Sequence, residues 1–332
     1  MMRSIGQSRG LRALSVLASA CALALTAVLS PVAPAAPAEA VDRKVTAADE
    51  AYYSRYNLKA LHAQGYTGEG VTIAVIDGRI DTSIPELQGA DIQDMTACTI
   101  QTNADSDDHA TFIAQLLVAP DFGVAPGATI YNYAVAHSPN DAGADCGLGM
   151  NRSALGDQAS LIEQALNDGV DIISISATFT KRDAQAMHWA VSRAVVEGVP
   201  IVGGMGNDGQ RDPDNVVGAW GGAIGVSALE TDGSWADYSN WGDGVTVAAV
   251  GKFTARRSDD GELYAVDGTS FAAPLVAGVL ALAWQRFDDN VSAEQILQAL
   301  AATARGSGGQ WNERTGSSVG VGSDSIPGCA PL

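Results

Sequence analysis

The 332-residue sequence has few aromatic, basic, cysteine and histidine residues. Aromatic residues make up 6%, Lys and Arg number 19 against 38 Asp and Glu, and there are 4 Cys and 4 His. The formal net charge of −19 disfavours a nucleic acid or an anionic membrane as a partner, because both repel an acidic surface. A hydrophobic content of 46% with few aromatics fits an α/β core rich in Ala, Gly and Val. No internal repeat or long linker indicates a second domain, so one large domain is expected.

The first 40 residues have the pattern of an export signal. Three Arg precede an apolar run from about Ala13 to Leu29, and Ala38-Glu39-Ala40 forms a small-residue cleavage site. We therefore predict a signal peptide over residues 1–40, cleavage after Ala40 and a secreted, extracellular protein. An uncleaved membrane anchor is the alternative. Residues 306–332 contain no apolar run of membrane length, so no stable membrane span is expected after cleavage.

The cysteines agree with an oxidising compartment but do not fix a pairing. After export the chain holds Cys98, Cys146 and Cys329, of which two can form a disulfide and one is left over. Cys98 with Cys146 is the preferred pair, since both lie in loop-like sequence. Cys21 lies inside the apolar run of the signal, and a lipid-attachment role is less favoured because that run continues beyond it.

The longest apolar stretch of the exported chain extends from Asp267 to Trp284. It is too long for a strand and apolar on every face, which predicts a helix buried all round, with Pro274 in its first turn. Ser270 then lies at a helix N-terminus, where backbone N–H groups and the helix dipole stabilise an oxyanion. A simple N-cap is the alternative role for Ser270.

Two further polar residues stand at places where catalytic groups are found. Val71–Asp77 reads as a buried parallel strand ending in a carboxylate, and ligands gather at the carboxyl ends of such strands. Asp107 and Asp108 can cap a helix with an apolar face, which places His109 in its first turn. A turn or capping role is the alternative for Asp77. For the other three histidines a solvated or packing role is expected: His62, His137 and His188.

The rest of the chain alternates between strands and helices, which predicts a mostly parallel sheet with helices on both faces. Strands are predicted at Thr129–Val135, Gly169–Ser176, Val199–Gly203, Ala223–Ala228 and Val245–Val250, and helices at Ser54–Gln64, Asp157–Asn167, Arg182–Val196 and Ser292–Thr303. Asn207 follows a strand end between glycines. It is either an amide donor for an oxyanion or part of an ordinary Asn-Asp-Gly turn.

Taken in order, Asp77, His109, Asn207 and Ser270 supply the roles that acyl transfer needs: an orienting carboxylate, a base, an oxyanion donor and a nucleophile. From about Tyr66 to Thr303 the chain resembles subtilisin-like serine proteases (subtilases, peptidase family S8), which share the order Asp, His, Ser. The motifs that carry the resemblance are Ile73-Ala-Val-Ile-Asp-Gly-Arg-Ile-Asp81, Gly123-Val-Ala-Pro126, Gly206-Asn207 and Gly268-Thr-Ser-Phe-Ala-Ala-Pro-Leu-Val-Ala-Gly278.

The resemblance implies a subtilisin-like three-layer α/β sandwich and a secreted serine endopeptidase that acts on polypeptides. It assigns the catalytic triad to Asp77, His109 and Ser270 and the oxyanion hole to Asn207. It implies substrate contacts at Ser174, Ser176 and Ala177. A monomer without a required cofactor is expected, with a structural calcium near Glu86 possible. The predicted segments are a signal peptide (1–40), an N-terminal extension (41–66), a catalytic domain (67–305) and a Gly/Ser-rich tail (306–332).

Several positions depart from the family pattern. Gly78-Arg79 replaces the usual Ser or Thr followed by Gly, and Ala110 replaces a glycine beside His109. The substrate-binding strand of the family usually ends in Ser-Leu-Gly or Ser-Trp-Gly, whereas this chain has Ser174-Ile-Ser-Ala-Thr178 without that glycine. The short segment before residue 67 has no room for a folded inhibitory pro-domain. The chain is therefore expected to retain it, as the actinobacterial mycosins retain an N-terminal extension. The altered neighbours of Asp77 and His109 motivate a competing function, a catalytically impaired subtilase scaffold that serves as a peptide-binding or interaction module. The acid-active sedolisins are disfavoured because they carry Asp and Glu where this chain has Asn207 and His109.

Overall fold

The computed structural model describes residues 43–96, 99–135, 142–145, 157–177, 184–287, 292–303 and 311–316. Residues Arg43–Leu332 belong to one compact unit. The predicted signal peptide, the preferred disulfide between Cys98 and Cys146, and Cys329 lie outside the described residues and stay predictions.

The core element is a seven-stranded sheet in which all neighbouring strands are parallel, in the order β2-β4-β1-β6-β7-β8-β9. Its strands are β1 (Thr72–Asp77), β2 (Asp91–Asp94), β4 (Thr129–Ala134), β6 (Ile172–Ile175), β7 (Ile201–Gly204), β8 (Ile224–Leu229) and β9 (Val245–Val250). Two antiparallel pairs stand apart: β3 (Thr99–Gln101) with β5 (Ala142–Asp145), and β10 (Lys252–Arg256) with β11 (Leu263–Asp267).

Helices cover both faces of the sheet, as the alternating sequence pattern predicts. They are α1 (Ala51–Arg55), α2 (Leu58–Ala63), α3 (Ala104–Val118), α4 (Gln158–Asn167), α5 (Ala184–Glu197), α6 (Thr269–Phe287) and α7 (Ala293–Thr303). Side chains alternate between the two faces of each strand. On β1, Ile73 and Val75 pack with α3 and α6, whereas Ala74 and Ile76 pack with α4 and α5. The three-layer α/β sandwich is confirmed.

The apolar run at Asp267–Trp284 forms the central helix. Nearly all residues of α6 before Trp284 are buried, which agrees with a helix that is apolar on every face. Within the described part of the chain, α6 is the one helix long and apolar enough to cross a membrane, and most of it is buried in the core. The first turn of this helix places Ser270 at the carboxyl edge of the sheet, next to the end of β6.

The elements that sequence reasoning missed are polar or short. β2 has the sequence Asp-Ile-Gln-Asp and is largely exposed, so no apolar alternation marks it. In the β10–β11 hairpin, the second strand, β11, is likewise largely exposed. The helix predicted at Ser54–Gln64 is split into α1 and α2, because Asn57 adopts a left-handed backbone conformation with φ of 52°.

The N-terminal extension is bound to the core by buried polar contacts. The Tyr52 hydroxyl donates to the Phe122 carbonyl (2.9 Å), and the Tyr56 hydroxyl accepts from the Val250 amide (2.9 Å). Both tyrosines are buried. The Glu50 carboxylate accepts from the Thr254 amide of β10 at 3.1 Å. Residues 43–66 are thus packed into the same compact unit as the sheet, and retention of this extension after export stays a prediction.

Glu50 makes the stability of this contact depend on pH. Burial raises its pKa from 4.5 to about 8. Between these values the folded protein holds a proton that the unfolded chain has released, so the free energy of unfolding falls as pH rises toward 8. Glu50→Gln keeps an oxygen that accepts from the Thr254 amide and removes the titratable carboxyl group. We expect the variant to be more stable than wild type at pH 8, by about 1–3 kcal/mol, and similar to it near pH 5.

Urea unfolding at both pH values measures this difference. The matched control is Glu69→Gln, which changes an exposed carboxylate of the neighbouring loop and should keep the wild-type slope. Equal pH slopes for wild type and Glu50→Gln would show that Glu50 is ionised in the folded protein.

Candidate active site

The carboxylate of Asp77 lies at the carboxyl end of β1, where the sequence places it. It is fully buried, with 0% exposure. Its Oδ1 accepts hydrogen bonds from the His109 ring at Nδ1 (2.8 Å) and from the Gly78 amide (2.8 Å). A buried carboxylate bonded to an imidazole orients the ring and stabilises its protonated form. This contact favours the catalytic role of Asp77 over that of a turn residue.

The turn at Gly78-Arg79 is well supplied with hydrogen bonds, although its sequence departs from the family pattern. The Gly78 carbonyl accepts from the Asn132 side chain (3.0 Å), and the Arg79 amide donates to Asp107 Oδ1 (3.0 Å). A Cβ at Gly78 would lie 2.1 Å from the Ser106 carbonyl oxygen. The first turn of α3 therefore approaches so closely that only glycine fits directly after Asp77. The glycine at position 78 of this departure from the family pattern follows from the close approach.

His109 lies one turn deeper in its helix than predicted. α3 begins at Ala104, and its cap is Asn103, whose side chain accepts from the Ser106 amide (3.0 Å). The prediction that Asp107 and Asp108 cap this helix is wrong. Asn is as good a cap as Asp, and it occurs earlier in the chain. His109 thus belongs to the second turn, where the backbone is fixed by hydrogen bonds, and its side chain is 24% exposed.

The contact with Asp77 selects the form of the imidazole that acts as a base. An ionised carboxylate can only accept hydrogen bonds, so Nδ1 of His109 carries the proton. In the neutral ring, Nε2 then has a lone pair directed away from Asp77. The ring packs against Phe271, with centroids 5.5 Å apart and planes tilted by 42°. Since Phe271 follows Ser270, this packing holds the base beside the proposed nucleophile.

Ser270 is the second residue of α6, which confirms its position at a helix N-terminus. It lies inside the helix and not before it, so the N-cap alternative does not hold. Pro274 is the sixth residue of the helix, in its second turn, and not in the first turn as predicted. The expectation was wrong because a proline is tolerated beyond the first turn when the carbonyl that its missing N–H would serve has another donor.

The proline has a specific consequence for the nucleophile. In a regular helix the amide of residue 274 would donate to the carbonyl of Ser270, four residues earlier. Proline has no N–H, and the Ser176 hydroxyl donates to that carbonyl at 2.8 Å instead. In return, the Ser270 hydroxyl lies 3.5 Å from the Ser176 carbonyl. The end of β6 and the start of α6 are therefore joined at Ser270.

Asn207 is oriented by a residue that sequence reasoning did not single out. Its Oδ1 accepts from the amide (2.9 Å) and the hydroxyl (3.0 Å) of Thr269. The Thr269 hydroxyl also accepts from the Gly206 amide (2.9 Å). With its oxygen engaged in this way, Asn207 presents its NH₂ group, which is the donor that an oxyanion needs. The only sequence signal for Thr269 is its place next to Ser270 in the family motif.

The predicted substrate contacts divide into two groups. Ser174 is 1% exposed, within β6 on the face that packs against α6, so a peptide has no access to its side chain. Any contact of Ser174 with a substrate would therefore involve its backbone, and it stays a prediction. Ser176 and Ala177 follow the strand, and the Ser176 hydroxyl donates to the backbone carbonyl of Ser270. They stay predictions as substrate contacts. Thr178 lies outside the described residues.

Ser176 offers a test of the link between β6 and α6. Ser176→Ala removes the donor to the Ser270 carbonyl, and we expect kcat/KM to fall about tenfold, since one lost hydrogen bond costs about 1–1.5 kcal/mol. Steady-state kinetics and thermal unfolding measure the effect. Ser174→Ala is the matched control two residues earlier. Its hydroxyl is buried and has no hydrogen-bond partner among the residues that the structure describes, so the change should be neutral or stabilising. Equal activities for the two variants would contradict the account.

Glu86 does not fit the calcium site that the resemblance made possible. The carboxylate is buried and accepts from Arg256 Nε (2.8 Å) and from the Val45 amide (3.1 Å). Arg256 also donates to the Arg43 carbonyl (2.7 Å). A guanidinium group thus occupies the place beside Glu86 that a cation would take. This buried ion pair holds the N-terminal extension on the β10–β11 hairpin.

Two of the remaining histidines have packing roles, as expected. His62 bonds to the Tyr53 hydroxyl (3.2 Å) and the Val124 carbonyl (3.0 Å), and the ring of His188 stacks on Trp220 with centroids 4.2 Å apart. His137 lies outside the described residues.

The sequence model of the subtilase family matches residues 68–320. Subtilisin E from Bacillus subtilis (strain 168) is 29% identical over 259 residues, which cover 76% of this chain and 65% of subtilisin E. The match thus spans less than two thirds of that relative. Subtilisin BL from Lederbergia lenta is 31% identical over 260 residues, covering 76% of this chain and 89% of the relative.

Solved structures agree with this assignment. The prenylagaramide maturation protease PagA has a TM-score of 0.64 and 25% identity, covering 81% of this chain and 96% of PagA. MycP1 with its N-terminal propeptide removed has a TM-score of 0.66 and 24% identity, covering 85% and 98%. The second likeness concerns the fold, and it agrees with the resemblance to mycosins. Because the family match extends over most of the chain and includes all four site residues, the chain belongs to the subtilase family.

Proposed function

We propose that the protein is a secreted serine endopeptidase that hydrolyses polypeptides through an acyl-enzyme on Ser270. The observation that carries the proposal is the 2.8 Å contact between buried Asp77 and the His109 ring, which packs on the residue after Ser270. Family membership and relatives that are proteases support the same conclusion. Secretion follows from the signal pattern of residues 1–40, and a monomer acting without a cofactor remains our expectation.

The proposed reaction uses each residue in turn. His109 Nε2 takes the proton of Ser270 as its oxygen attacks the peptide carbonyl. The negative charge on the carbonyl oxygen is stabilised by the NH₂ of Asn207 and the backbone N–H of Ser270. His109 then gives its proton to the leaving amine, and Asp77 compensates the charge of the imidazolium meanwhile. A water molecule then hydrolyses the acyl-enzyme. His109 takes a proton from the attacking water and gives it to the Ser270 oxygen as the acyl group leaves.

A peptide-library cleavage profile with the purified protein tests this function. We expect internal cleavage of peptides by wild type and none by Ser270→Ala. The competing function, a peptide-binding scaffold, was motivated by the residues next to Asp77 and His109. Gly78 is explained by the approach of α3, and Ala110 is buried within the helix. Peptide binding without any cleavage would favour the scaffold.

A further inference from the structure

A cleft of about 280 Å³ lies between α3, the helix that carries His109, and β11. α3 contributes Asp105, Asp108 and Phe112, whose spacing places them along one side of the helix. His109 is four residues after Asp105 and therefore borders this side. The opposite wall is β11, which ends at Asp267, three residues before Ser270. The cleft is thus bounded by the two elements that lead to the base and the nucleophile.

Part of the cleft lining is apolar. Phe112 is buried and contacts Phe271, with ring centroids 6.4 Å apart. Tyr264 and Val266 alternate on β11 and point to the same side, and Tyr264 is 39% exposed. These three side chains give a surface on which an aliphatic chain can lie.

The charged residues at the cleft are more negative than positive. Asp105, Asp108 and Arg257 line it, and Asp259 adjoins it as a partner of Arg257. Arg257 forms ion pairs with Asp108 (2.6 Å), Asp259 (3.0 Å) and Asp105 (3.4 Å). Asp108 is buried and is also bonded by the Ser258 amide (2.9 Å), so its charge is matched within the protein. The side chains of Asp105 and Asp259 are 81% and 40% exposed. One guanidinium therefore faces three carboxylates, two of them accessible to a ligand.

We propose that this cleft binds a Lys or Arg side chain of the substrate on the leaving side of the scissile bond. The inference rests on the proposed function. His109 must reach the leaving amine to protonate it, so the peptide beyond that amine lies along the helix that carries His109. A long basic side chain has an aliphatic stem for Phe112, Tyr264 and Val266 and a cationic end for Asp105 and Asp259. A carboxylate at the same position would be repelled.

Matched peptides measure this preference. They share one sequence on the acyl side and carry Lys, Gln or Glu at each of the first few positions on the leaving side. At one of these positions we expect kcat/KM for Lys to exceed that for Glu about tenfold at low ionic strength, and less in high salt. Asp105→Asn and Asp259→Asn should each reduce this ratio about two- to fivefold. Asp243→Asn removes an exposed carboxylate before β9 and should leave the ratio unchanged.

A Lys to Glu ratio near one at every position would overturn the inference, as would an unchanged ratio in the variant that combines Asp105→Asn and Asp259→Asn. Failure of the proposed function gives a different result, in which no peptide is cleaved. In that case, calorimetric titration of the Ser270→Ala variant with the same peptides still tests the cleft. Tighter binding of the Lys peptide supports the cleft as a basic-residue site, and equal affinities contradict it.

Discussion

Ser270→Ala is expected to lower kcat about 10⁶-fold with little change in KM, the scale known for loss of the nucleophile in subtilisin. The hydroxyl at the start of α6 is the only group that the proposed mechanism uses to form the acyl-enzyme. His109→Ala should cost about as much, and the double variant hardly more, because nucleophile and base act as one unit. Steady-state kinetics on a peptide cleaved by wild type measures all three proteins.

Ser192→Ala is the matched control, since it changes an exposed serine on α5, away from the β1, β6 and α6 termini that form the site. It should retain wild-type activity. A Ser270→Ala protein that keeps more than about 1% of wild-type activity while remaining folded would exclude Ser270 as the nucleophile.

Asp77→Asn is expected to lower kcat about 10⁴-fold. The asparagine has nearly the same shape, but its NH₂ group can donate to Nδ1 of His109. The proton of the neutral ring then moves to Nε2, which can no longer accept from Ser270. Asp81→Asn lies in the same loop, where its carboxylate accepts from the Ser83 amide, and serves as the control. We expect it to retain most activity.

A small effect of Asp77→Asn in folded protein would contradict the assignment of the orienting carboxylate. Circular dichroism and the urea midpoint of each variant separate a catalytic loss from unfolding. The Gly78 amide donates to the same Oδ1 that accepts from His109, so an NH₂ group facing His109 also gives up the bond from Gly78.

The elements with strong apolar patterns were predictable from the sequence. β1 is a β-branched run ending in a carboxylate, and α6 is apolar on every face. β11 was missed because it is largely exposed, and β10 because its five residues, Lys-Phe-Thr-Ala-Arg, give too short and mixed a pattern. The start of α3 was misplaced because Asn103, Asp107 and Asp108 are all good caps, and only the tertiary contacts of the loop select among them.

The candidate site residues could be named from the sequence, whereas the residues that orient them could not. Asp77, His109, Asn207 and Ser270 stand in recognisable motifs. The hydrogen bond from Thr269 to Asn207 joins residues 62 positions apart, and that from Ser176 to the Ser270 carbonyl joins residues 94 positions apart. Single-sequence patterns report local periodicity and do not report such long-range pairs. The Glu86–Arg256 pair, 170 positions apart, was missed for the same reason.

Reaction with a fluorophosphonate probe tests the nucleophile, its base and their proximity in one measurement. The probe is attacked by a serine that a neighbouring base has activated, so no knowledge of the natural substrate is needed. We expect wild type to be labelled stoichiometrically, with the adduct mapped to Ser270 by mass spectrometry, and His109→Ala to remain unlabelled under the same conditions. Folded wild-type protein that takes up no label, or equal labelling of both proteins, would contradict the proposed triad.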